Sequence, residues 1–172
     1  VIEGFHGIPY DAPVTRLREI IEICRKVWLR DEKLNHDGKK YQIPLPKDQG
    51  TGLGIPLKII THPYREEIPV ALATLGEKSV AMTAELADAW LPAFFMAEGS
   101  DAVWGDALRA GARKRDPGRP PLDIYAGGSV AIGNNLESYR DMSRSGIALY
   151  VGGMGAKDKN FYNQVFRKYG YE

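Results

Sequence analysis

The stretch Ile68–Phe95 constrains the fold of this chain more than any other, because a strand, a turn, a helix and a second strand follow one another within it. The apolar run Pro69–Ala73 is typical of a strand that is covered on both faces. Glu77–Ala87 carries a stripe of small apolar residues at helical spacing, which suits close packing on a sheet. Asp88–Phe95 is again strand-like. The stretch therefore predicts a βαβ unit, and with it a parallel sheet.

Helical and strand-like segments alternate along the rest of the chain. Thr15–Arg30 has apolar residues at the spacing of one helical face and is a strongly amphipathic helix. A last helix is predicted with Asn160 as its N-cap and Gly170 as its stop. We further predict helices over Asp101–Arg115 and Leu136–Tyr150, strands over Leu57–Thr61 and Leu122–Ala126, a hairpin of Lys33–Leu34 with Lys40–Ile43 around a turn at Asn35–Gly38, and loops over Val1–Pro13 and Pro44–Pro56.

This alternation, with apolar strands, predicts an α/β fold built on a parallel sheet. A closed (β/α)8 TIM barrel typically has about 250 residues, and this chain has 172. Its composition is compatible both with an open doubly wound sheet and with part of a barrel. At this length we expect one domain over residues 1–172.

The charge balance gives no case for a nucleic-acid or membrane partner. Lys and Arg number 23 and Asp and Glu 22, for a net charge of +1. The basic residues between Arg109 and Arg119 are interpreted as a solvated helix end. No segment approaches the roughly 18 apolar residues of a membrane span, and we expect a cytoplasmic protein that acts on a small-molecule substrate.

The cysteine and histidine content limits the chemistry further. Cys24, the single cysteine, excludes an internal disulfide, and it lies on the apolar face of its helix as a predicted core thiol. The three histidines, His6, His36 and His62, have no spacing suited to a metal, so no metal site is predicted. His6 lies in a Gly-rich loop and is either a surface residue or one that touches substrate.

The turn between the strand and the helix of the βαβ unit is the strongest candidate binding site. Ligands of parallel α/β folds collect where strands end, beside the following helix N-termini. Gly76 lets the backbone approach a ligand, and the free N–H groups near Glu77, Lys78 and Ser79 would face an anion. The hydroxyls of Thr74 and Ser79 and the charge of Lys78 would add donors. An ordinary strand-to-helix turn is the alternative, and the residues alone do not separate the two.

Two other glycine-rich segments are weaker candidates. Gly127–Gly128–Ser129 follows a strand and is either a ligand contact or a bulge, of which the bulge is favoured. The segment Gly152–Lys157 is excluded as a nucleotide-binding P-loop, because Asp158 stands where that motif needs Ser or Thr.

Ala73–Phe95 (ATLGEKSVAMTAELADAWLPAFF) resembles the segment around the fifth and sixth strands of the luciferase-like monooxygenase family. The similarity is greatest to the branch that uses the deazaflavin coenzyme F-420 (F420). Three further stretches agree: Glu3–Gly7 (EGFHG), the helix that carries Arg16 and Glu19, and Tyr150–Tyr162 (YVGGMGAKDKNFY). The resemblance covers nearly the whole chain.

The resemblance implies a (β/α)8 barrel of the bacterial luciferase type, of which this chain holds a part that starts after strand four and ends before strand eight. Family members bind a flavin or deazaflavin across the carboxyl ends of the strands. Val1–Gly4 would lie beside the ring and His6 nearer the substrate. The residues implied for the phosphate-bearing side chain of the cofactor are Thr74, Leu75, Gly76, Glu77 and Lys78.

Two residues depart from the family's usual wording. Glu77 stands where Pro is common, and a carboxylate there suits the helix dipole but would repel a phosphate. Thr74 replaces Ala and adds a hydroxyl. The family's acid and base residues lie on the first three strands, so no catalytic residue is assigned in this chain.

We therefore expect an oxidoreductase that transfers a hydride between F420 and an unknown organic substrate. One alternative is a luciferase-like monooxygenase that uses FMN and dioxygen. Another, from a different class, is a non-catalytic cofactor-binding or oligomerising protein of the same fold. Because part of a barrel leaves strand edges unpaired, we also expect self-association, as a homo-oligomer.

Overall fold

The computed structural model describes residues 1–156 and 159–171, which divide into two compact units at the boundary between Val70 and Ala71. Among these residues, no helix is both long enough and apolar enough to cross a membrane. The regular elements are α1 (Ile2–His6), α2 (Pro13–Leu29), β1 (His36–Asp37), β2 (Gln42–Ile43), β3 (Ala71–Leu72), α3 (Glu77–Leu86), β4 (Ala89–Trp90), α4 (Asp106–Ala112), β5 (Asp123–Ile124), α5 (Leu136–Ala148) and α6 (Phe161–Lys168). Short 3-10 turns lie at Lys47–Gln49 and Ala97–Gly99, and π turns at Asp101–Gly105 and Leu149–Gly153.

The first unit is organised by α2, which confirms the predicted amphipathic helix. Pro13 occupies its first turn, where the missing N–H has no intrahelical partner in any case. The helix ends where Arg30 takes a left-handed conformation with φ of 53°. Glu19 and Ile21 are its buried residues, whereas Cys24, predicted to lie in the core, is only half-buried.

A hairpin forms in the predicted region and its second strand lies within the predicted Lys40–Ile43, but the first strand is His36–Asp37 and not Lys33–Leu34, so both that strand and the turn were misplaced. Strands β1 and β2 pair antiparallel, with His36 opposite Ile43. The turn therefore covers residues 38–41 and not Asn35–Gly38. The reason is a long-range contact, because the carboxylate of Glu19 accepts backbone N–H groups from this turn and fixes it there.

Two local predictions in the first unit were wrong. Leu57–Thr61 pairs in no ladder among the described residues, because its carbonyls serve other groups: Leu57 O accepts the N–H of Leu34 at 2.8 Å, and Ile59 O accepts Nε of Arg30 at 3.0 Å. The opening segment is also not entirely a loop. Its residues Ile2–His6 form α1, which ends at Gly7 with φ of 64°.

The second unit confirms the predicted βαβ unit and the α/β class with a parallel sheet. The strands that the structure describes there lie in the order β3-β4-β5, and both pairs are parallel. Ala71 is paired with Ala89, which is paired in turn with Asp123. Helix α3 connects β3 to β4, and α4 lies between β4 and β5. The ladders are shorter than the predicted strands, and within the described residues the sheet is open and does not close into a barrel.

Trp90, the last residue of β4, belongs to a core that is rich in aromatic residues. Trp90 and Trp104 are almost completely buried, and their rings meet edge to face at 5.1 Å. Phe95 stacks on Trp104 at 6.0 Å. Val165 of α6 packs into the same cluster as Val80 of α3. The strand ends and the last helix therefore share one core.

Candidate functional site

The turn after β3 is held by two tryptophans of the core. Trp90 donates its indole N–H to the carbonyl oxygen of Thr74 at 2.9 Å, and Trp104 donates to that of Leu75 at 3.1 Å. Buried indole N–H groups require such acceptors. The backbone that leads into α3 is therefore fixed from below by residues of the following elements.

The amino end of α3 is open, as the sequence predicts. Gly76 is its N-cap in an extended conformation, and its carbonyl accepts the backbone N–H of Val80 at 2.9 Å and Oγ of Ser79 at 2.8 Å. In the described part of the chain, no side chain caps this helix. The N–H groups of its first turn are therefore available to an anion. A Cβ built on Gly76 has Ser79 Oγ as its nearest neighbour, at 3.6 Å, so the space above this backbone is open.

The two hydroxyls expected to face a ligand are engaged inside the unit. Thr74 is buried, and its Oγ1 lies 2.8 Å from Oγ1 of Thr83. Since Thr83 donates its own proton to the carbonyl of Ser79 at 2.9 Å, Thr74 is the donor to Thr83. Ser79 in turn donates to Gly76. Backbone N–H groups and ammonium groups are the donors that remain for a ligand.

A cavity of about 310 Å³ adjoins this turn. Its floor is taken as the buried or half-buried apolar residues Leu75, Val103, Trp104 and Val165, and its rim as the exposed polar residues Glu77, Gln164 and Lys168. Apolar lining with a few polar groups is typical of small-molecule sites. Three elements line it: the turn after β3, the π turn that precedes α4, and helix α6. The lining residues are Leu75, Gly76, Glu77, Val103, Trp104, Phe161, Gln164, Val165 and Lys168. The contribution of α6 was missed by sequence reasoning, because nothing near Gly76 in the chain indicates a partner so distant.

Glu77 and Lys168 form an ion pair at the rim of this cavity. Nζ of Lys168 lies 2.5 Å from Oε1 of Glu77, and both side chains are substantially exposed. The hydrogen bond from Lys168, with its positive charge, lowers the pKa of Glu77 below the usual value, against smaller opposing effects of desolvation and of the negative charge of Asp106. The carboxylate that sequence reasoning expected to repel a phosphate is thus paired with a cation.

Helix α6 is held at both of its ends by hydrogen bonds to neighbouring turns and loops. The side chain of Asn160 accepts two backbone N–H groups of the first turn and donates to the carbonyl of Tyr150 at 2.8 Å, which confirms the predicted N-cap. Near the other end, the hydroxyl of Tyr169 accepts the backbone N–H of Met96 at 2.9 Å, and burial raises the pKa of Tyr169. The chain leaves the helix at Gly170 with φ of 89°, the predicted stop.

The other candidate residues are distant from this turn in the sequence, and those that the structure describes are exposed to solvent. His6 ends α1 in the first unit, is exposed, and contacts the ring of Phe5 edge to face at 5.3 Å. Gly127 and Gly128 are exposed, and apart from the glycine and its chain neighbours no described residue comes within 4 Å of a Cβ added at either position. Lys157 and Asp158, on which the P-loop exclusion depends, lie outside the described residues.

Across residues 1–156 and 159–171, His, Cys, Asp and Glu side chains form no group of three or more that could hold a metal ion. The turn offers backbone N–H donors suited to an anion, beside a cavity lined by both apolar and polar residues.

Comparison with known proteins gives a consistent set of similarities. The family model described as luciferase-like monooxygenase matches residues 1–172. The chain is 39% identical, over 99% of its length, to a protein of Mycobacterium tuberculosis named "Putative coenzyme F420-dependent oxidoreductase". It is 26% identical, over 86% of its length, to a 5,10-methylenetetrahydromethanopterin reductase of Archaeoglobus fulgidus. A phthiodiolone/phenolphthiodiolone dimycocerosates ketoreductase of Mycobacterium kansasii is 28% identical over 69% of the chain. These matches span 50%, 40% and 29% of the respective relatives, so the chain spans half of their length or less.

Proposed function

The chain belongs to the luciferase-like monooxygenase family, and from that premise we propose that it binds the deazaflavin coenzyme F420 and serves a hydride transfer between this cofactor and an organic substrate. The name of the relative from Mycobacterium tuberculosis supports the choice of cofactor. The proposal places the phosphate-bearing side chain of F420 at the turn between β3 and α3.

One observation carries this placement: the open amino end of α3 lies beside a cavity. Gly76 exposes backbone, the first-turn N–H groups lack a side-chain cap in the described chain, and the cavity adjoins both. A phosphate needs such N–H donors with a helix dipole behind them. The donor set therefore fits the anionic part of F420.

The residues expected to contact the cofactor have different tasks in this proposal. Gly76, Glu77 and Lys78 supply backbone N–H groups, and Lys78 adds an exposed ammonium. Leu75 contributes to the apolar floor of the cavity. Thr74 acts from below, because its hydroxyl and its carbonyl hold the turn to Thr83 and Trp90.

When bound, F420 would supply the hydride acceptor or donor of the reaction. This chain would hold the phosphate end of the cofactor through the backbone N–H groups of the turn and so limit its movement. Acid and base groups are not assigned to residues of this chain.

The wider expectations belong to the same proposal. The parallel sheet would be part of a (β/α)8 barrel, with His6 near a substrate whose identity is open. Within the described residues the outer edges of β3 and β5 are unpaired, and further strands or a second copy in a homo-oligomer would cover them. FMN is the alternative cofactor, because the family model is that of a monooxygenase family and FMN carries a terminal phosphate that suits the same donors.

The test is a titration of the intact protein with F420 and, separately, with FMN, followed by fluorescence. We expect saturable binding of F420 that is tighter than that of FMN. Tighter binding of FMN would support the monooxygenase alternative instead. Binding of neither cofactor would contradict both and favour a protein without this cofactor chemistry. Reduced F420 offered with panels of ketones and enones would then test for hydride transfer.

A further inference from the structure

We propose that Lys168 is a ligand of the cofactor's phosphate and that Glu77 is an internal counter-anion, which holds this lysine at the site until the phosphate replaces it. The inference rests on the proposed function and concerns the same site. It adds a cation from a helix far away in the chain to a site that sequence similarity confines to the turn after β3.

Glu77 places a negative charge at the start of α3. Its carboxylate belongs to the first turn of α3, where the helix dipole favours negative charge. Its partner Lys168 holds it at the rim of the cavity. A negative group of the protein itself therefore lies where the phosphate is proposed to bind, and a phosphate placed there would meet repulsion unless the pair rearranges.

The side chain of Lys168 can exchange one ion-pair partner for another. The backbone of α6 is anchored by Val165 in the core and by Tyr169 on Met96, so the helix stays in place. The lysine ammonium has three donors on a flexible stem, and only Glu77 is recorded as its ion-pair partner among the described residues. Ion pairs as exposed as this one contribute little net stability, so the exchange of a carboxylate for a phosphate meets little resistance.

Three of the described cations near the start of α3 differ in their access to the cavity: Lys168, Arg109 and Lys78. Among the described residues, Lys168 is the cation in the wall of the cavity. Arg109 is bound to Asp101 at 2.5 Å and to Asp106 at 2.9 Å. Lys78 is exposed on α3 and does not line the cavity. The geometry thus favours Lys168 as the ammonium that reaches a ligand inside it.

The experiment compares two probes that differ by the phosphate alone: the ribityl deazaflavin chromophore and its 5′-phosphate. Both are titrated by fluorescence into the intact wild-type protein and into Lys168→Met, Glu77→Gln and Arg167→Met. The last variant is the matched control, since Arg167 is an exposed cation of α6 in its last turn that does not line the cavity. Urea unfolding of each variant establishes that it is folded.

We expect Lys168→Met to weaken binding of the 5′-phosphate about 10-fold or more, as for a lost hydrogen bond between charged groups, and to leave binding of the phosphate-free probe unchanged. Glu77→Gln should strengthen binding of the 5′-phosphate, and Arg167→Met should change neither probe. Equal weakening of both probes by Lys168→Met would mean a structural role and overturn the inference. So would unchanged binding of the 5′-phosphate, or weaker binding in Glu77→Gln. If the wild-type protein binds F420 while Lys168→Met has no effect, only this inference fails; if the wild type does not bind F420, the proposed function fails with it.

Discussion

The indole N–H of Trp90 donates a hydrogen bond to the carbonyl oxygen of Thr74 over 2.9 Å. Trp90, the last residue of the central strand β4, thereby fixes the turn that follows the neighbouring strand β3. The same ring is fully buried against Trp104, which holds the next carbonyl, that of Leu75. The proposed phosphate site is therefore built directly on the core, and its geometry depends on the packing of two indoles.

Replacement Trp90→Phe should destabilise the protein and weaken cofactor binding together. It removes buried volume and leaves the Thr74 carbonyl without its donor, for which we expect a loss of about 2–3 kcal/mol in the free energy of unfolding. Urea unfolding measures the first effect and F420 titration the second. The matched control is Trp28→Phe, which changes a half-buried tryptophan on α2 of the first unit. It should leave F420 affinity unchanged. Equal F420 affinities in the two variants would contradict the dependence of the turn on Trp90.

Gly111→Ala should destabilise the second unit, although Ala normally stabilises a helix. Gly111 lies in α4 against α3, where an added Cβ would overlap the carbonyl oxygen of Ala81 and come within 2.6 Å of the Cβ of Ala84. Gly146→Ala in α5 is the control, because an added Cβ there meets nothing within 4 Å. The control should gain about 0.5–1 kcal/mol, and Gly111→Ala should lose stability in urea unfolding. A gain at both positions would disprove the close contact of the helices.

Glu19 should make the first unit sensitive to acid. Burial raises the pKa of its carboxyl, but N–H groups from Lys40, Tyr41 and Lys39, and the nearby His36, lower it, with a net shift below the ordinary value. A carboxyl with a lowered pKa in the folded protein stabilises the fold above its unfolded pKa. That contribution disappears as the pH falls through the folded value.

The corresponding experiment compares unfolding of the wild type and Glu19→Gln between pH 7 and pH 3. Glu19→Gln should be the less stable protein at neutral pH, and the difference should shrink below about pH 4.3, the ordinary pKa of a glutamate. Because His36 Nε2 lies 3.5 Å from the carboxylate, the comparison is repeated with His36→Gln present in both proteins. A difference that stays constant over this range would show that Glu19 does not titrate as proposed.

The elements with strong local signals were predicted from the sequence. The spacing of apolar residues indicated α2, and Asn160 and Gly170 marked the ends of α6. Continuous apolar runs indicated the strands of the parallel sheet. The expectation that such strands are covered on both faces is confirmed for β4, but in the described structure Ala71 of β3 and both residues of β5 are exposed. These signals are carried by neighbouring residues, which is why one sequence sufficed.

The features that failed depend on distant partners. The apolar run at Leu57–Thr61 has the composition of a strand, but a strand also needs a neighbour to pair with. The turn of the hairpin is set by Glu19, which lies in the preceding helix. Lys168 and Glu77 are in contact although most of the sequence of the second unit separates them. Periodicity and turn residues carry no information on such contacts.

The most direct test of the account is the affinity for F420 of the variant Gly76→Val in the intact protein. The nearest neighbour of an added Cβ lies 3.6 Å away, so we expect a folded protein with a wild-type unfolding transition in urea. The side chain would cover the backbone that the phosphate must approach. The account predicts that the Kd for F420 rises about 10-fold or more, as for lost hydrogen bonds to a charged group. An unchanged Kd in the folded variant would contradict a phosphate site at this turn.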